Sequence, residues 1–187
     1  MNNSNGNTLI NQEARIFYLG DYVNNASISK LCFNLLGLIH EDDEKEAKEV
    51  GFTRQPIKIY IQSYGGCADD MWTLVDIMLS SKTPIHTYCT GYAMSAGLFI
   101  FVAGHKRFAT KHSKFMYHQM SYGMEGTQQE FEEIADYKKY VQSILELYIV
   151  ERTKIKQSQL KENRVKKQDW FIFAQEALEL GIVTDII

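Results

Sequence analysis

The sequence predicts an α/β domain. Short β-branched and aromatic runs alternate along the chain with segments whose apolar residues recur at helical spacing, and glycine or proline stands at many of the changeovers. No internal repeat and no linker divides the 187 residues, a length that suits one domain with a full hydrophobic core. Residues 1–12 are polar and read as a flexible N-terminal tail, leaving 13–187 as the single folded domain.

Taken in order, Arg15–Leu19 (RIFYL), stopped by Gly20, predicts a strand. From about Ala26 to His40, the apolar residues Ile28, Leu31, Cys32, Leu35, Leu36 and Ile39 predict a helix, with Asn25 or Ser27 as its cap. His40–Glu49 (HEDDEKEAKE) is densely charged and reads as a solvated helix end and loop, so His40 beside carboxylates is not taken as a metal ligand. Ile57–Gln62 alternates and predicts a strand ending in Ser63-Tyr64-Gly65-Gly66. A helix over Ala68–Ser81 follows, with Met71, Leu74, Val75 and Met78 on one face, and Pro84 ends the pattern. Ile85–Cys89 is a third strand, and Gly91–Gly104 a glycine-bounded turn entering a helix. Arg107–Ala109 and Phe115–His118 are short strands. A long helix runs from about 127 to 152, then a second over Ala174–Leu180, a turn at Gly181 and a last strand through Val183.

Composition excludes several classes. A net charge of −3 points neither to nucleic acid nor to an anionic membrane surface. Three cysteines, Cys32, Cys67 and Cys89, are odd in number and far apart, so they read as neither a disulfide framework nor a zinc site, and a reducing cytoplasm fits best. Met1–Thr8 is polar and Asn-rich, unlike a signal peptide. The longest apolar run, Ala93–Gly104, is too short to span a bilayer.

Three segments could carry chemistry. In Gly91-Tyr92-Ala93-Met94-Ser95-Ala96-Gly97, a serine sits among small residues between a strand and a helix. Small neighbours permit a sharp turn and close substrate approach, and the helix start offers N–H groups to a developing oxyanion. The same residues would also serve a helix packed tightly on a sheet. Ser63-Tyr64-Gly65-Gly66 could present backbone N–H groups to a ligand or be a plain turn. No Lys-Ser/Thr follows it, so it is not a phosphate loop. His118 ends a strand 23 residues past Ser95 (118 − 95), where it is either structural or a general base.

Four segments in order resemble the Clp protease proteolytic-subunit (ClpP) family. IYIQSYGGCADDMWTLVDIM is similar to its strand, S-P-G-G-type turn and helix, and GYAMSAGLFIFVAGHKRFA to its G-x-A-A-S-M-G nucleophile segment. HSKFMYHQMSYGMEGTQQEFE is similar to its R-I-M-I-H-Q-P histidine segment, and DWFIFAQEALELGIVTDI to its C-terminal D-R-x-F-x-S-A segment. The resemblance implies a ClpP/crotonase-like ββα superhelix with a protruding handle helix at about 127–152. It implies a serine endopeptidase with Ser95 as nucleophile, His118 as base and Asp169 as the acid that holds the imidazole. The N–H groups of Gly66 and Ala96 match the oxyanion donors. No cofactor or metal is implied. Polypeptide substrates, heptameric rings that stack into a tetradecamer, and a Clp ATPase partner are. Chain order, Ser-His-Asp, differs from the Ser-Asp/Glu-His of an α/β-hydrolase. Alternatives within the same architecture are a crotonase-like acyl-CoA enzyme and a non-catalytic ring protein.

The chain departs from the family at Tyr64, where proline is usual, and at Ala96, where methionine is usual. Few residues precede the first strand, and Glu41–Arg54 is long and charged where the family meets its ATPase. These departures point to a divergent, phage- or prophage-type member, for which maturation of phage heads is an alternative biological role within the peptidase reading.

Overall fold

A computed structural model describes residues 7–121 and 127–187. Among these residues, eight strands form one sheet: β1 (Thr8–Asn11), β2 (Ile16–Leu19), β3 (Ile57–Ser63), β4 (Ile85–Met94), β5 (Lys106–Ala109), β6 (Lys114–Tyr117), β7 (Trp170–Phe173) and β8 (Asp185–Ile186). Six helices join them: α1 (Asn25–Lys48), α2 (Ala68–Ser80), α3 (Ala96–Val102), α4 (Gln128–Arg152), α5 (Gln157–Lys166) and α6 (Ala174–Glu179). The strand order is β1-β2-β3-β4-β5-β8, with β6 against both β4 and β7. The α/β class is as the alternation requires.

The core follows from side-chain alternation. Ile57, Ile59 and Ile61 of β3 and Ile85 and Cys89 of β4 point to one face, where Ile28, Leu31 and Leu35 of α1 and Leu74, Val75 and Met78 of α2 cover them. Each such aliphatic side chain contributes about 2 kcal/mol on burial. All seven residues of α3 are buried, so this helix is enclosed by the domain rather than laid on its surface.

The long strand β4 divides its pairing. His86–Cys89 pair with β5, and Tyr92–Met94 pair with β6, both parallel. On its other edge the register with β3 jumps between Ile61↔Cys89 and Ser63↔Ala93. The two extra residues on the β4 side bend the strand so that its end joins a different neighbour. That bend carries the segment after Met94 toward the end of β6.

Several expectations are corrected. Thr8–Asn11, read as tail, is an edge strand antiparallel to β2, with Thr8 opposite Leu19; residues 1–6 of the tail lie outside the described residues. Helix α1 does not end at His40 but continues through the charged run to Lys48. Its cap is Asn24, whose side chain accepts from the Ser27 N–H while the Ser27 hydroxyl accepts from the Asn24 N–H. The final strand is Asp185–Ile186, because the amides of Ile182 and Val183 turn back onto the Ala177 carbonyl at 2.8 and 3.1 Å. Helix α5 and strand β7 are additional to the elements that the sequence pattern predicts. The apolar residues of α4 are divided: Leu145, Tyr148 and Ile149 join the core, whereas Tyr137, Tyr140, Ile144 and Leu147 are exposed. The Phe131 side chain lies outside the described residues.

The charged extension of α1 is tied down by a buried network. Asp42, only 1% exposed, accepts from the Arg15 guanidinium at 2.6 and 3.1 Å and from the Thr83 hydroxyl at 2.7 Å. Arg54 donates to Thr83, Asp43 and Glu46. Asp42→Asn presents an N–H₂ group to these donors and is expected to lower stability by about 2 kcal/mol, the scale of a hydrogen bond to a charged group. Urea denaturation checks this; a change below about 0.5 kcal/mol would rank the network with surface ion pairs.

Candidate active site

Ser95 links β4 to α3 with φ 50° and ψ −125°, a conformation that a non-glycine residue holds only when its surroundings enforce it. Here they do. Its N–H donates to the Met116 carbonyl at 2.9 Å, and its own carbonyl accepts from the Leu98 N–H at 2.9 Å. The hydroxyl is thereby turned out of the strand–helix junction.

The small residues around Ser95 answer to two different needs. A Cβ on Gly97 would lie 3.1 Å from the Ser63 carbonyl oxygen, so this glycine serves helix–sheet packing. A Cβ on Gly65, where φ is +102°, would lie 2.6 Å from the Ser95 Cβ, so this glycine leaves room for the serine itself. Gly66 has φ +151°, and a Cβ there would overlap the Val23 carbonyl oxygen. The bonds fixing this turn fall on its neighbours: Val23 N–H to the Gly65 carbonyl, and Cys67 N–H to the Val23 carbonyl, both 2.8 Å. Among the described residues, the Gly66 N–H donates no backbone hydrogen bond. Ala96 is the first residue of α3, so its N–H has no acceptor within the helix. Gly66, Ser95, Ala96 and His118 line one cavity of about 70 Å³, whose apolar wall is Met71, Phe99 and Leu145.

His118 follows β6 directly. The parallel register sets Met94 beside Met116, so the residues just beyond each strand end come together. His118 Nε2 lies 2.7 Å from Ser95 Oγ. With the proton on Nδ1, Nε2 accepts the serine hydroxyl, the arrangement that general-base activation needs.

Asp169 precedes β7, whose antiparallel register on β6 pairs Lys114 with Phe173 and Tyr117 with Trp170. Continued by one residue, that ladder sets Asp169 opposite His118. Both residues line a cavity of about 210 Å³ with Lys167 and Gln119. Among the described residues, no hydrogen bond joins Asp169 to His118. Ser95 and His118 are thus hydrogen-bonded, and Asp169 lines a cavity with His118 without a hydrogen bond to it among the described residues.

Sequence reasoning places Met71 in the core only, and gives Phe99 and Leu145 no part in the site. As buried apolar residues on helices, they carry no sequence mark that separates a pocket wall from a core. The remaining histidines stand elsewhere: His105 bonds the Ile85 backbone, and His86 is held below the usual imidazole range by burial, with Lys106 adding to it. The three cysteines are free; burial pushes the Cys89 thiol up and the Cys32 thiol up to about 11, while Cys67 is exposed beside Gly66. Among the described residues, no helix is long and apolar enough to cross a membrane.

Comparison with known sequences bears on this arrangement. A family model described as Clp protease matches residues 4–187. ATP-dependent Clp protease proteolytic subunit 1 of Prochlorococcus marinus is 33% identical over 171 residues, 90% of this chain and 81% of that protein. Proteolytic subunit 2 of Parasynechococcus marenigrum is 31% identical over 175 residues, covering 92% and 83%. Proteolytic subunit 1 of Shouchella clausii is 32% identical over 181 residues, covering 92% and 84%. The match favours the peptidase family over the crotonase-like reading of the same architecture. With the family pattern extending over nearly its whole length, the chain belongs to the Clp protease family.

Proposed function

We propose that the chain is a serine endopeptidase in which Ser95 attacks the scissile carbonyl and His118 accepts its proton. The observation that carries this is the 2.7 Å contact between His118 Nε2 and Ser95 Oγ, made by a serine held at positive φ. As the tetrahedral intermediate forms, negative charge develops on the former carbonyl oxygen. The Gly66 and Ala96 N–H groups, both on the wall of the Ser95 cavity, are the donors for it. Collapse of the intermediate expels the amine, which takes the proton from His118 and leaves an acyl-Ser95 ester; water then repeats the sequence in reverse. Asp169 is the third member in this reading. Its carboxylate would hold Nδ1–H once the Lys167–Asp169 segment moves onto His118.

The apolar wall of Met71, Phe99 and Leu145 suits a compact apolar side chain next to the scissile bond. The exposed Tyr137, Tyr140, Ile144 and Leu147 of α4 support self-association through the handle into a ring assembly. Any dependence on ATP would reside in a separate ATPase partner that delivers unfolded polypeptide.

A fluorophosphonate probe tests the chemistry, and light scattering tests the assembly. Stoichiometric labelling of the wild type at Ser95, mapped by mass spectrometry, is the expected result. An assembled protein that takes up no probe, or takes it up at another residue, would remove Ser95 from the nucleophile role. A monomeric mass would remove the ring.

A further inference from the structure

Behind His118 lies a second cluster of buried polar side chains, which the chemistry just described does not use. Gln142 and Glu146 of α4 are 4% and 1% exposed. Gln142 Oε1 accepts the Met120 N–H at 3.0 Å, and its Nε2 donates to the Tyr117 hydroxyl at 3.1 Å and to Glu146 Oε1 at 3.2 Å. Glu146 in turn accepts from Gln157 Nε2 at 2.6 Å and pairs with Arg164 Nη1 at 3.1 Å, both on α5. Tyr117 and Met120 bracket His118 in the chain. One amide therefore grips the backbone on one side of the imidazole and the neighbouring side chain on the other.

The chemistry fixes which way this amide faces. The Met120 N–H can only donate, so it requires the Gln142 oxygen; an ionised Glu146 can only accept, so it requires the Gln142 nitrogen. Reversing the amide would break both bonds at once. The Tyr117 hydroxyl accepts from the same nitrogen, and burial, reinforced by the Glu146 charge, pushes that phenol well above its ordinary range, so it stays neutral. An apolar pair here would cost less in desolvation. What the polar pair supplies instead is a single geometry. Its far end is α5, the helix that finishes at Lys166, three residues before Asp169.

We propose that Gln142 is a positioning residue for His118, oriented by the Glu146–Arg164 pair, so that α4 and α5 together set where the imidazole stands relative to Ser95 and Asp169. The inference rests on the serine-peptidase reading of Ser95 and His118.

Gln142→Leu keeps bulk and removes all three side-chain hydrogen bonds, while Gln142→Glu with Glu146→Gln exchanges the two side chains and restores an amide–carboxylate pair of the same net charge. In the exchange, the carboxylate placed at position 142 donates nothing, but it accepts from the Met120 N–H, the Tyr117 hydroxyl and the new amide at position 146. Gln142→Leu is expected to lower kcat on a short peptide about 100-fold, the cost of a misplaced catalytic group, with KM within about threefold and a displaced acidic limb of the pH–rate profile. The exchange variant should recover kcat and the limb to within about threefold of wild type. Gln142→Leu at wild-type kcat and pH profile would overturn the proposal, as would a folded exchange variant no better than Gln142→Leu. If Gln142→Leu does not fold, the exchange variant alone decides by the same threshold. Nitrogen-15 histidine spectra separate this inference from the reading beneath it. If even the wild type resists fluorophosphonate, the peptidase reading fails. A His118 ring resonance that moves in Gln142→Leu and returns in the exchange variant still supports positioning, whereas an unmoved resonance overturns it.

Discussion

Ser95→Ala is expected to lower peptide hydrolysis by about a millionfold, His118→Ala by a comparable factor, and the double variant by no more than either alone. The reason lies in the 2.7 Å contact. A serine hydroxyl is a weak nucleophile until a base takes its proton, and the base has no task without the hydroxyl, so the two act as one unit. The loss should come without unfolding. Alanine leaves intact the Ser95 N–H bond to Met116 and the carbonyl bond from Leu98, both made by backbone. Burst-phase and steady-state assays on a fluorogenic peptide, with thermal melts of each variant, measure the two effects separately. A melting point within a few degrees of wild type beside the full loss of turnover is the expected pair; a Ser95→Ala protein that keeps a tenth of the rate would sink the assignment.

Gly66→Ala comes next in size. At φ +151° a side chain is strained, and its Cβ would overlap the Val23 carbonyl oxygen. That carbonyl also accepts the Cys67 N–H, so relief requires the turn to swing away, and the Gly66 N–H swings with it. With Gly66 as a proposed oxyanion donor, this is expected to lower kcat about 100- to 1,000-fold. The strain itself costs about 1–3 kcal/mol of stability. Gly97→Ala is the control: its Cβ would crowd Ser63 at 3.1 Å without a positive φ, so its effect should fall on stability more than on kcat. Equal kcat losses from both changes would mean that Gly66 matters for packing alone.

The alternation that predicts an α/β fold survives because it reflects burial: the isoleucines of β3 and the apolar faces of α1 and α2 meet as their spacing requires. What the sequence conceals depends on partners far along the chain. The charged run after His40 reads as a solvated helix end and loop, but it is helical to Lys48, where Glu44 pairs with Lys48 one turn on and Asp42 meets Arg15 from 27 residues away. Thr8–Asn11 has no strand signal of its own and becomes a strand by pairing with β2. Helix α5 buries only Leu160, so it lacks the apolar stripe by which a helix is recognised.

The site is legible to a similar degree. Ser95 and His118 each stand at a strand end, and that much can be read locally. Their meeting depends on the β4–β6 register, which no local pattern encodes. Asp169 can be reached only through the family resemblance, since nothing nearby distinguishes it from other acidic residues. The antiparallel β6–β7 ladder supplies a physical reason for its place. Gln142 is invisible for the opposite reason: a glutamine in the middle of a polar helix looks solvated until the fold buries it.

The sandwiching of β6 between a parallel and an antiparallel neighbour also has a meaning in time. Its parallel partner, β4, is synthesised before it, and its antiparallel partner, β7, only after the whole of α4 and α5. A growing chain can therefore bring Ser95 and the β6 end together early, but it cannot close the ladder beside His118 until Trp170 has been made. In a peptidase, such an order of synthesis keeps the finished site from existing while most of the polypeptide around it is still unprotected.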